Sequence, residues 1–286
     1  MRVPPTQALD LQSKNIFSSR KFFLKELKAL YTQTSKCTDA NANYQKVLDF
    51  QTECNKNINY SITWLGEVSS NAGIKDTDYR SFAISILGGL KNSFAVPVLI
   101  NLIEEEDNPK IREAAIYSLY SFSDFQEKKD LILLILKEHL RDPEFSVQQA
   151  ATRTLWHFKG REAVKALNDR LKELGRNHPL RKEIENVLII IEPYIGYEII
   201  EKLQHISKKK EPEVVNKKIK EIVQPYLDFC GVEMIQRILS RIALGSPMRY
   251  HELIQEKALI ALRVAFGDSV SMDSLLATVK DFEKRK

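Results

Sequence analysis

Glycine and proline are scarce in this chain of 286 residues, ten of each, or about 3.5 % apiece where folded proteins average about 7 % and 5 %. A sandwich or barrel needs turn residues at most strand ends, and a nucleotide fold needs a glycine-rich loop, so the composition argues against both. Neither G-x-G-x-x-G nor G-x-x-x-x-G-K occurs. The one glycine pair, Gly88-Gly89, falls at the end of a helical stretch and reads as a close helix contact or a C-cap. The five histidines (His139, His157, His178, His205, His251) are scattered, without H-E-x-x-H or Cys-x-x-Cys, so neither a metal nor another cofactor is expected. There is no G-x-S-x-G elbow and no cysteine in a recognisable nucleophile context, which makes a non-enzyme the expectation. The longest aliphatic runs, Leu131 to Leu136 and Val187 to Ile191, fall far short of the ~20 residues of a bilayer span. The amino end also lacks an apolar leader-like core, so the expected compartment is cytoplasmic, an exported mature form being the alternative. With only three cysteines, Cys37, Cys54 and Cys230, reduced thiols are expected; a Cys37–Cys54 bridge would require an oxidising compartment.

What is abundant is helix-forming: Leu, Ile, Ala, Lys and Glu dominate. With 43 % hydrophobic and 28 % charged residues the chain has the composition of a folded protein. Its length is about twice the ~100 to 150 residues of a single-core domain, which implies two globules or one elongated array. The formal charge of +5 is uneven. Arg2, Lys14, Arg20, Lys21, Lys25, Lys28 and Lys36 against Asp10 and Glu26 account for all of it, so the remainder of the chain is neutral. A nucleic-acid-binding body more often carries its excess as a stripe over the fold.

Internal repetition decides for the array. Four segments align as Asp78 to Leu87, Lys110 to Leu119, Ser146 to Leu155 and Pro179 to Leu188. Their anchors are Tyr79, Ile111, Val147 and Leu180, then Ala83, Ala115, Ala151 and Ile184, then Leu87, Leu119, Leu155 and Leu188. An i, i+4, i+8 stripe is one face of an α-helix, and its small middle residue lets a neighbouring helix come close. An apolar helix precedes each of the last three segments, at Ala95 to Ile103, Lys129 to Leu140 and Glu162 to Leu171. The breaks Asp107-Asn-Pro109, Asp142-Pro143 and Asn177-His-Pro179 carry turn and N-cap chemistry.

The pattern Val/Ile-Arg-x-x-Ala-x-x-x-Leu after an Asp-containing turn resembles the HEAT repeat family, over about 58–192. The resemblance implies an all-α, right-handed α-solenoid of HEAT-like helix pairs, with divergent helical caps at 1–57 and 193–286, the latter continuing the array or closing it. It also implies a structural ladder between the turn acids Asp107 and Asp142 and the arginines Arg80, Arg112 and Arg181, which Gln148 interrupts. In such arrays the second helices line the concave surface, so equivalent positions form rows across it. Two residues beyond the anchors the row reads Ser81, Glu113, Gln149, Lys182; six beyond, Ser85, Tyr117, Arg153, Asn186; nine beyond, Gly88, Tyr120, Trp156, Ile189. Tyr, Trp and Arg are the residues most enriched in binding hot spots. A partner protein or peptide is therefore expected on Tyr117, Tyr120, Arg153, Trp156 and His157, flanked by Glu113 and Gln149. Tyr120 and Trp156 are also close enough to the buried stripe to pack beneath the next repeat. The same mixture suits nucleic acid, and one HEAT-like group, the alkylpurine DNA glycosylases of the AlkD type, uses a concave surface of Trp, Arg and Asp. That reading is the alternative, against which stand the neutral body and the lack of an acid placed for catalysis.

Outside the repeats a basic amphipathic helix is expected at Phe17 to Tyr31, packing as the first helix of the array; contact with an anionic membrane is its less favoured reading. A second helix is expected at Tyr44 to Asn57. Further helices are expected at Tyr197 to Ser207, Pro212 to Cys230, Val232 to Leu244, Tyr250 to Phe266 and Met272 to Glu283, with Ser207 to Pro212 as a hinge and Lys208 to Lys210 as a solvated loop.

Overall fold

A computed structural model of the chain describes residues 19–206, 211–244 and 252–267. The start of the expected first helix, the core of the Ser207 to Pro212 hinge with Lys208 to Lys210, and the Met272 to Glu283 helix lie outside them. The described residues are all-α, without strands, and form a helical-repeat solenoid. The chain divides into two compact units, Met1–Phe158 and Lys159–Lys286. None of the described helices is long and apolar enough to cross a membrane.

The first unit holds α1 (Arg20–Lys36), α2 (Ala40–Lys56), α3 (Ile58–Ser70), α4 (Thr77–Gly89), α5 (Ala95–Glu105), α6 (Pro109–Ser118), α7 (Gln126–His139) and α8 (Phe145–Phe158). A single 3-10 turn, Leu119–Phe122, follows α6. Starts are set by side chains that accept the orphan N–H groups of the first turn. Ser19 caps α1, Asp39 caps α2, Asp76 caps α4 and Asn108 caps α6, with Pro109 at the first helical position where its missing N–H is harmless.

The repeats stack through their second helices. The predicted stripe is the buried one: Ala83, Leu87, Ile111, Ala115, Leu119, Val147, Ala151 and Leu155 are fully buried, and Tyr79 nearly so. α4, α6 and α8 pack side by side far more closely than α3 and α5 do. A hydroxyl one residue before two of the final leucines, Leu119 and Leu155, ties neighbours together. Ser118 Oγ donates to the Ile84 carbonyl at 3.2 Å, and Thr154 Oγ1 to the Ile116 carbonyl at 3.4 Å. At Gly88 the approach is so close that a Cβ would stand 2.8 Å from Ser118 Cβ.

α1 packs against α4 with its apolar side inward: Phe23, Leu27 and Leu30 are fully buried. Its basic side is partly engaged by the unit itself. Arg20 meets Glu67 at 2.6 Å, and Lys28 meets Asp76 at 2.9 Å while lying 4.1 Å from the Tyr79 ring centroid. The Lys28 hydrogen bond, with the Tyr79 backbone N–H, holds the Asp76 carboxyl below its ordinary range, and burial pushes Tyr79 up to about 12.

The second unit holds α9 (Arg161–Glu173), α10 (Pro179–Gln204), α11 (Pro212–Cys230), α12 (Val232–Leu244) and α13 (Glu252–Phe266). The break expected between Glu192 and Tyr197 is absent, since α10 runs through Pro193 as one helix of 26 residues. Its apolar face does not lapse there: Leu188, Ile191, Ile195, Ile199 and Leu203 are all buried, and that burial outweighs the hydrogen bond lost at proline. Gly231, at φ +83°, makes the turn between α11 and α12 that a residue with a Cβ would strain. Buried and half-buried polar side chains fasten the helices. Glu192 meets Arg241 at 2.9 Å and Arg237 at 3.4 Å, Asn168 donates to the Phe229 and Cys230 carbonyls, and Lys257 Nζ donates to the carbonyls of Leu203 (2.8 Å) and Ile206 (2.7 Å).

Two measurements check this packing. Gly88→Val should lower the unfolding free energy by about 2 kcal/mol in urea titration, the usual cost of forcing methyl groups into a filled contact. All three thiols are free, and burial pushes Cys54 up to about 12 and Cys230 higher still. At pH 8 a disulfide reagent should therefore modify Cys37 at once, and Cys54 and Cys230 only as fast as the protein opens.

Candidate functional site

The arginines near the start of the second helices serve the stacking. Arg80 is 3 % exposed. Its Nε donates to the Ser69 carbonyl at the end of α3 (2.9 Å), and its guanidinium pairs with the Glu106 carboxylate beyond α5. Arg112 repeats the arrangement one unit on. Nη1 donates to the Glu106 and Asp107 carbonyls at 2.9 and 3.0 Å, while Nε and Nη2 grip the Asp142 carboxylate at 3.1 and 2.9 Å. Each arginine thus satisfies carbonyls left over at the end of its own repeat's first helix and reaches an acid in the next turn. Arg181 keeps only the first of these two roles. Its Nη2 donates to the Leu171 and Leu174 carbonyls at 2.8 and 2.9 Å, and its nearest acid, at 3.5 Å, is Glu185 of its own helix.

Two expectations need correction. Asp107 is not the ladder acid; its side chain is exposed, and only its backbone oxygen takes part. Counting five residues back from Ile111 and Val147 gives Glu106 and Asp142, so Asp107 lies one residue out of register. Nor does Gln148 simply interrupt the ladder. Its Nε2 donates to the Asp142 carbonyl at 2.7 Å, doing the backward half of the arginine's work. Its Oε1 is buried without a hydrogen-bond partner among the described residues.

The predicted binding residues gather on the second-helix face of α6, the 3-10 turn that follows it, and α8. Arg153 Nη1 donates to Tyr117 Oη at 3.5 Å, a long contact in which Arg153 stays exposed and Tyr117 half-buried. About one turn further on, the Tyr120 and His157 rings lie 5.0 Å apart between centroids, and His157 and Trp156 lie 4.3 Å apart. Tyr120 is 50 % exposed and does not pack beneath the next repeat; Trp156 is half-buried. One turn toward the helix starts, Glu113 and Gln149 are both half-buried. Beyond them Lys110 Nζ donates to the Asp78 carboxylate of α4 at 2.6 Å, and that hydrogen bond raises the lysine above its ordinary range, with Glu113 adding to the effect. Along α4 the row is small, Ser81 and Ser85, and Tyr31 of α1 closes that side against Tyr79 and Phe82, with ring centroids 5.3 and 5.6 Å apart.

In the second unit α10 carries exposed apolar residues further along the helix than the predicted rows, which end at Asn186 and Ile189. Ile190, Tyr194 and Tyr197 are 48 %, 41 % and 50 % exposed, and Lys159 Nζ lies 4.2 Å from the Tyr194 ring centroid. Among the described residues, no group of three or more His, Cys, Asp or Glu comes together as metal ligands would.

Neither the family models nor the curated proteins compared with the chain match it. Among solved structures it is similar to an engineered protein, at 16 % identity over 88 % of this chain and 97 % of that one, with a TM-score of 0.41. It is also similar to a designed armadillo repeat protein, at 14 % identity over 83 % and 99 %, TM-score 0.39. A third is human deoxyhypusine hydroxylase in complex with glycerol, at 14 % identity over 90 % and 96 %, TM-score 0.33.

The corrected ladder separates adjacent acids. Glu106→Ala and Asp142→Ala should each cost about 3 kcal/mol by leaving a buried arginine without its counter-ion. Asp107→Ala should stay within about 0.5 kcal/mol of wild type, as exposed positions do. Urea unfolding of the three variants compares them directly.

Proposed function

We propose that the chain is a non-catalytic interaction scaffold that holds a partner protein or peptide on the second-helix face of α6 and α8. The observation that supports this reading is the meeting of Tyr117 with Arg153, and of Tyr120 with His157 and Trp156, across two adjacent repeats. Rings and a guanidinium held by rigid helices give large contact area for little lost side-chain freedom, which is how hot spots work. The helices beneath are fixed by buried anchors and hydroxyl–carbonyl bonds, so the face is formed before a partner arrives.

Substituting Tyr117→Ala and Arg153→Ala together should abolish partner capture in an affinity pull-down. Because the first side chain is half-buried and the second exposed, the melting temperature should hold to within a few degrees. Undiminished capture by the double variant overturns the assignment. Recovery of nucleic acid in place of protein, with binding that falls steeply as salt rises, would favour the nucleic-acid reading.

A further inference from the structure

The exposed side of α10 is built about a midpoint. Asn186, Ile190, Pro193, Tyr194, Tyr197 and Glu201 recur every three or four residues and so share one side of the helix. All six are exposed, with Ile190, Tyr194 and Tyr197 at 48 %, 41 % and 50 %. Taken about the point between Pro193 and Tyr194, Ile190 and Tyr197 stand equally far out, and so do Asn186 and Glu201. The middle of the strip is apolar and aromatic and its ends are polar, as in an interface with a dry centre and a wet rim. What the middle offers is open ring and methyl surface. That surface is measured by exposure, whichever contacts the other atoms of these side chains make within the unit. Lys159 Nζ, 4.2 Å from the Tyr194 ring centroid, covers one face of that ring and still leaves the residue 41 % exposed.

A face arranged about a midpoint is suited to meet a copy of itself. Under a two-fold axis through that point two α10 helices run antiparallel, and each residue faces the one equally far on the other side of the axis. Ile190 then faces Tyr197 of the second copy, Pro193 faces Tyr194 of the second copy, and the Asn186 amide faces the Glu201 carboxylate of the second copy. An amide N–H donates to a carboxylate, so the polar ends match. A parallel pair would instead set Glu201 against Glu201, two like charges. The ends also lack the lysines and arginines with which an interfacial helix holds an anionic membrane.

The area sets the strength. Covering the open halves of two tyrosines and an isoleucine, with the residues around them, removes on the order of 500 Å² per copy, or about 1,000 Å² in all. That is the small end of specific interfaces, which corresponds to a dissociation constant of roughly 10 to 100 µM.

We propose that the exposed side of α10 is a self-association surface on which two copies of the chain pair antiparallel about Pro193 and Tyr194. This pairing goes beyond the scaffold reading and does not depend on it, since it uses none of the residues assigned to partner docking on α6 and α8. A paired chain presents that docking face twice.

Sedimentation velocity of the full chain between about 1 and 300 µM tests the pairing, because a weak dimer forms within that range. The wild type should pass from monomer toward dimer as concentration rises. Ile190→Glu sets a carboxylate against the Tyr197 ring of the second copy and should weaken pairing roughly tenfold or more. Asn186 reports the register. Asn186→Lys should tighten the pair about fivefold, because an ammonium faces Glu201 twice in each dimer, and Asn186→Glu should loosen it about as much. In a parallel pair both substitutions bring like charges together and both loosen it. Because Ile190 and Asn186 are exposed, all three variants should keep the circular dichroism of the wild type and melt within a few degrees of it. A wild type that stays monomeric throughout, or a dimer that survives Ile190→Glu, overturns the proposal. Loosening by Asn186→Lys as well as by Asn186→Glu overturns the antiparallel register and the pairing built on it. A monomer that instead binds vesicles of phosphatidylcholine and phosphatidylserine, and loses them on Ile190→Glu, overturns the second copy in favour of a membrane.

Discussion

Everything on the second-helix face follows from how closely α4, α6 and α8 approach one another. Alanine in the middle of each stripe and glycine at position 88 remove the side-chain bulk that would hold the axes apart. At that distance a serine or threonine hydroxyl reaches a carbonyl of the neighbouring helix that already accepts within its own helix, and shares it. Residues six and nine or ten positions beyond the anchors are then brought across from one another. Tyr117 opposite Arg153 is a consequence of the spacing between α6 and α8, and Tyr120, on the 3-10 turn that follows α6, is carried opposite His157 by the same spacing. A site built this way is as rigid as the core that carries it.

The arginine ladder answers a different need, the satisfaction of helix ends that the array buries. The carbonyls at the end of a first helix have no partner within that helix, and water is excluded where the next repeat stacks. Arginine can serve two masters because its donors diverge from a rigid plane: Nε or Nη1 goes back to a carbonyl while Nη2 goes forward to a carboxylate. Lysine, a point charge on a flexible stem, would do one or the other. The two buried pairs add little net energy, but they fix rotation between successive repeats, because a misregistered repeat would strand a charge.

The repeat phase is legible in the sequence because burial imposes it: the apolar stripe at Ile111, Ala115 and Leu119 recurs with the same register at Val147, Ala151 and Leu155, and both are fully buried. The ring cluster is legible for the same reason, since fixing the buried stripe fixes which side of the helix the remaining residues occupy. Sequence and structure part where a choice depends on a single residue's direction. Glu106 and Asp107 are both acidic and adjacent, and only the register with Asp142 distinguishes them. Gln148 resembles a defect when its amide is compared with arginine's charge, yet the backward hydrogen bond needs only an N–H donor. Pro193 resembles a stop when local propensity is weighed without the five buried apolar residues that carry α10 past it. The hydroxyls of Ser118 and Thr154 are visible as a recurring small polar residue before leucine, but their role depends on an interhelical distance that no single-chain pattern contains.

In an ordinary solenoid each repeat interacts only with its immediate neighbours, so the terminal helix can fray and reseal without disturbing anything two helices away. Lys257 alters that behaviour in the second unit. Its ammonium, on α13, is 3 % exposed and closes the carbonyl end of α10, more than fifty residues earlier in the chain. Detaching α13 uncovers those carbonyls at the same moment as its own apolar face, while α11 and α12 lie between the two helices in sequence. Opening of α13 is thereby joined to loosening of α10, the longest of the described helices, so that the two come apart as one cooperative event instead of one after the other.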